Sequence, residues 1–151
     1  AVSIVDNALS QGVNVALLAP GDSGAVVPPG IGEPHRYRIL EALAHLQPDA
    51  DIDLAQALGE AAVDRGATVA AITCAPTGDL LDTLGALRAQ GMGIAAATVV
   101  PLPGAAEPPF PVLDAEAFAN EIDRLGGSTL VLPALPVPRP SYAVLSSKNG
   151  N

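Results

Sequence analysis

The chain is nearly without aromatic residues: two Tyr and two Phe are present among 151 residues, and Trp is absent. Its core must therefore be filled by Ala, Val, Leu and Ile, which suits helices packed closely on a sheet. A single cysteine, Cys74, excludes an internal disulfide framework and a multi-cysteine zinc site, and it fits a reducing compartment. Basic residues are also scarce. Seven Lys and Arg stand against sixteen Asp and Glu, giving a net charge of −9. They are scattered from Arg36 to Lys148 and form no patch, which argues against nucleic acid and against polybasic attachment to anionic lipid. No apolar run is long enough to cross a bilayer, and no signal peptide is visible. Initiator Met is missing and the first ten residues already read as helix, so a processed product or a piece of a longer chain is expected.

What is present points to order. Hydrophobic residues make up 49% of the chain, and the 15 Gly and 15 Pro fall mostly between periodic segments, where they act as punctuation. The length suits one domain. A helix over Ala1–Ser10 is expected to close at Gly12, followed by an apolar strand over Val13–Ala19. Ala25–Val27 reads as a short antiparallel edge stopped by Pro28. Helices are predicted over His35–Leu46 and over Asp53–Arg65, the second with a capping box from Asp53 to Gln56. Strand Ala67–Cys74, helix Asp79–Gln90, strand Gly93–Val100, helix Asp114–Leu125 and strand Ser128–Leu132 then alternate. That rhythm implies a mainly parallel sheet with helices on both faces, a three-layer α/β sandwich of Rossmann-like type. The domain is expected to span residues 1–135. A Pro-rich, partly extended tail covers 136–151, with Ser141–Leu145 as a further possible strand.

The order of elements resembles a von Willebrand factor A-type domain whose first strand is absent. The pieces AVSIVDNALSQGVNVALLAPGD, PPGIGEPHRYRILEALAHLQPDADIDLAQAL and ATVAAITC resemble one branch, the bacterial family called domain of unknown function 58. The likeness covers Ala1 to Val100, and the remainder by element order alone. It implies the company of a MoxR-type AAA+ ATPase and a place in the cytoplasm, at the cytoplasmic face of a bacterial membrane. In the A-type sheet the first strand lies between those matching Val13–Ala19 and Ala67–Cys74. Its absence would leave two rows of unpaired backbone groups. Each buried unpaired group costs about 1–3 kcal/mol, so a full row would outweigh a domain's stability of roughly 5–15 kcal/mol. An upstream part of the same gene product, a partner chain, or Ser141–Leu145 is expected to fill the gap.

Ligands of open α/β sheets sit beyond the carboxyl ends of the strands. There the oxygen-bearing candidates for Mg²⁺ are Asp22, Asp51, Asp53 and Thr73. The resemblance weakens that reading: the A-type Asp-x-Ser-x-Ser stretch is missing, and Cys74, a soft ligand, stands where the family commonly has an Asp. Asp53 and Asp79 suit helix N-caps instead. Cys74 suits a small buried hydrophobe. His35 is expected near solvent at the start of its helix, and His45 by the helix C-terminus, neither paired with a Ser or Cys. Gly21-Asp22-Ser23-Gly24 lacks the spacing of a nucleophile elbow, and Gly91-Met92-Gly93 follows a helix rather than opening one. No catalytic residue and no cofactor are therefore expected. The Pro-rich stretch offers Pro136, Pro138, Arg139, Pro140 and Tyr142 as partner-binding candidates, because stiff extended segments dock at low entropy cost. A non-enzymatic interaction or scaffold domain of a membrane-associated assembly follows. The rival is a Rossmann-like enzyme holding a nucleotide or small ligand at the sheet's carboxyl edge.

Overall fold

Local signals set where each element begins and ends. The computed structural model describes residues 1–21, 24–46, 53–100 and 111–133. Among them the order is α1 (Val2–Ser10), β1 (Val15–Ala19), β2 (Ala25–Gly30), α2 (Gly32–His45) and α3 (Leu54–Glu60). Then come β3 (Thr68–Thr73), α4 (Gly78–Ala89), β4 (Gly93–Val100), α5 (Ala115–Arg124) and β5 (Ser128–Pro133). Three helices share one ending. Past α1, α4 and α5 a glycine takes a left-handed φ of 72°, 93° and 73° at Gly12, Gly91 and Gly126. The next amide then turns back five residues: Val13 to the Ala8 carbonyl at 3.1 Å, Met92 to Leu87 at 3.2 Å, Gly127 to Ile122 at 3.0 Å.

Helix caps differ from the expectation in two places. Asp79 lies inside the first turn of α4, and the cap is Thr77, whose hydroxyl accepts from the Leu80 amide at 3.2 Å. Asp53 precedes α3 without any side-chain capping bond, and Gln56 donates to Glu60 instead of reaching back. Asp114 does cap α5, accepting from the amides of Glu116 and Ala117 at 2.9 and 3.1 Å. Helix α3 also stops five residues short of Arg65. Gly59 in its last turn weakens it, since glycine has poor helix propensity, and the chain turns extended at Ala61. Gly66 shapes the turn into β3, where the Ala67 amide reaches the Asp64 carbonyl at 3.1 Å.

Strands form two separate ladders. β3, β4 and β5 are parallel, with Val69 opposite Ile94 and Ala96 opposite Thr129. β1 and β2 are antiparallel, pairing Leu17 with Val27 and Ala19 with Ala25. β2 runs on through Pro28 and Pro29 to Gly30, because the register shifts between Val15 and Leu17 and relaxes the demand for donors there. Among the described residues no ladder joins β1 to β3.

The core lies on one face of the parallel sheet. Ala71, Ile94 and Ala96 meet Ala55 and Leu58 of α3, Leu80, Leu84 and Leu87 of α4, and Phe118 and Ile122 of α5. Leu18 of β1 packs against this cluster from the side. The chain is thus an α/β fold with a three-stranded parallel sheet flanked by helices, a layout compatible with a Rossmann-like arrangement. On the other face, Ile4 of α1 shares a hollow with Ala70, Ala95 and Leu130. Steps β3 to β4 and β4 to β5 go the same way across the sheet, so crossovers of one hand carry α4 and α5 to one side.

Candidate interaction surface

Side chains alternate across a strand, so the residues flanking the core positions point the other way. On β3 these are Thr68, Ala70 and Ile72, on β4 Ala95, Ala97 and Val99, on β5 Ser128, Leu130 and Leu132. None carries a charge. Ile72 is 38% exposed, Leu130 53% and Leu132 41%. The small alanines make a low floor between these larger side chains. A hollow of about 140 Å³ runs over it, bounded by Ile4 of α1 on one side and Leu130 on the other. Exposed apolar area of this kind on a parallel sheet is uncommon, because such sheets are normally covered on both faces.

The carboxyl edge of the sheet is occupied by the chain's own contacts. Thr73 uses its hydroxyl to accept from the Ala75 amide at 3.0 Å. The Pro76 carbonyl accepts from the Leu113 amide at 2.7 Å, tying the segment before α5 to the loop after β3. Asp53 is exposed at the head of α3 and makes no side-chain capping bond there. Asp22 and Asp51 lie outside the described residues, as do Pro136, Pro138, Arg139, Pro140 and Tyr142. Among the described residues no three His, Cys, Asp or Glu side chains converge. Cys74 is exposed rather than buried, because β3 ends at Thr73 and the thiol falls on the bend that follows.

His35 is the other correction. It is buried at 6% exposure, and its Nε2 lies 2.6 Å from the Val15 carbonyl, to which it donates. Helix α2 begins at Gly32, three residues earlier than its apolar spacing suggests, which moves His35 from the helix start into its first buried turn. The ring lies flat against Gly30, where a Cβ would come within 2.5 Å of Nδ1. His35 therefore fastens α2 to the irregular end of the β1–β2 pair. His45 is exposed in the last turn of α2.

A wider hollow of about 330 Å³ opens between α1 and α2, with Asp6 and Arg36 in its wall. Arg36 donates to both carboxylate oxygens of Asp6, at 2.6 and 3.1 Å. That hydrogen bonding holds the Asp6 carboxyl below its ordinary range and raises the Arg36 guanidinium. The two charges satisfy one another, so they anchor α1 to α2 rather than wait for a ligand. No helix among the described residues is long and apolar enough to cross a membrane. No protein-family model matches the chain, and no curated protein matches it either.

Proposed function

We propose that this chain is a non-enzymatic protein-interaction or scaffold domain of von Willebrand factor A-like architecture, working within a membrane-associated bacterial assembly. The observation that carries the reading is the uncharged face of the β3–β4–β5 sheet on which, among the described residues, Ile72, Leu130 and Leu132 stay exposed. A parallel sheet exposing Ile72, Leu130 and Leu132 gains most by docking against another protein, since burial stabilises roughly 25 cal/mol per Å² of apolar surface. The resemblance to the domain of unknown function 58 family supplies the partner, a MoxR-type AAA+ ATPase, and the setting, the cytoplasmic face of the membrane. That warrant is analogy of family, whereas the open face is a property of this chain.

The test is binding of the purified chain to a purified MoxR-type ATPase by sedimentation velocity. A complex is expected, and Leu130→Asp should weaken it by about tenfold or more, because a buried unpaired carboxylate costs more than the 1.4 kcal/mol of one decade. Absence of a complex, or equal binding by the variant, contradicts the reading.

A further inference from the structure

An alanine floor between larger side chains makes room for one flat group. The hollow over Ala70, Ala95 and Ala97 holds about 140 Å³, close to the roughly 150 Å³ cavity that takes up benzene in an engineered protein core. Ile4 and Leu130 stand at its sides, and Ser128 and Thr129 belong to its rim. An apolar bed beside hydroxyl groups suits tyrosine, whose ring is apolar and whose tip is polar.

The chain has four aromatic residues, Tyr37, Phe110, Phe118 and Tyr142. Phe118 is buried in the core on the other face of the sheet, and Tyr37 lies on α2 and does not line the hollow. Phe110 stands three residues before Leu113, whose amide is held by the Pro76 carbonyl on the way into α5. Tyr142 follows β5, the strand that carries Leu130. The eight residues between Pro133 and Tyr142 reach up to about 25 Å, whereas β5 and β3 are about 10 Å apart. Charge favours the same segment. Residues 134–151 carry Arg139 and Lys148 and no Asp or Glu, so all sixteen acidic residues precede them. The other stretches outside the described residues, 22–23, 47–52 and 101–110, each contain an acidic residue. A basic, apolar segment meets attraction where an acidic one meets repulsion.

We propose that Tyr142 inserts its ring into this hollow, so that the chain's own segment Ser141–Leu145 occupies the exposed apolar face until an external partner displaces it. The contact is intramolecular, and a short tether supplies an effective concentration on the order of millimolar, so a modest affinity suffices. Its role as an internal competitor rests on the interaction reading. The contact itself is tested without any partner.

The test is NMR of the full 151-residue chain. Nuclear Overhauser contacts are expected between the Tyr142 ring and the methyl groups of Ala95, Ala97 and Leu130. Tyr142→Leu, which keeps an apolar side chain but has no ring, should shift those methyl signals downfield as the ring current is lost. Ala95→Leu fills the hollow and Leu130→Asp charges its wall, so each should abolish the contacts, and circular dichroism melts verify that both variants fold. Absence of the contacts together with methyl signals indifferent to Tyr142→Leu overturns the proposal. So do contacts that survive both hollow variants, or that come from Phe110 or Tyr37 instead. Contacts seen only between copies carrying different isotope labels overturn it in favour of a second copy of the chain. Each of these results leaves the interaction reading standing, since that reading falls only when no separate partner binds.

Discussion

Asp53, Asp79 and Asp114 look alike in the sequence, each an acidic residue at the head of an apolar periodic run. Only Asp114 accepts amide hydrogen bonds at a helix start, while Thr77 takes that role for α4. Sequence separates them poorly, because a cap depends on a backbone bend of one residue, and at α4 that bend falls at Thr77, two positions before Asp79. Asp114→Ala should lower stability by about 1 kcal/mol in urea titration, and Asp53→Ala should leave it unchanged. Asp6 carries a pH signature. Its folded pKa is depressed by the Arg36 hydrogen bond, so its contribution is present above the unfolded value of about 3.9 and lost as pH falls through the lower folded one. Asp6→Asn, which cannot titrate, should therefore give a flatter acid limb in a pH series of urea melts than the parent chain.

Elements were the most legible scale. Glycines after the apolar runs mark three helix ends, and the strand over Gly93–Val100 has the bounds its sequence suggests. What single segments could not reveal is which partner face each one meets. Leu84 and Leu130 both sit in apolar runs, yet Leu84 is fully buried between α4, α5 and the sheet while Leu130 is 53% exposed. The difference comes from the shared direction of two crossovers, a property of three strands together. Leu84→Ala should cost about 2–5 kcal/mol by denaturant unfolding. Leu130→Ala should stay within about 0.5 kcal/mol, as for a surface position.

At the scale of the whole molecule, strand and helix alternation made the α/β class readable. The candidate site was not readable in the same way. Oxygen ligands near the carboxyl edge attract notice in a sequence, but Thr73 is engaged with its own loop, and the unusual features among the described residues are an exposed apolar face and an edge of β3 that no described strand pairs with. Such features are defined by what does not pack against them, which no local pattern encodes. Amide hydrogen exchange along β3 of the isolated chain, read by NMR, is the most direct test. Val69, Ala71 and Thr73 should exchange slowly, held by β4, and Thr68, Ala70 and Ile72 should exchange near the unprotected rate. Six amides protected alike would contradict the account, because a strand of this same polypeptide would then already lie along that edge.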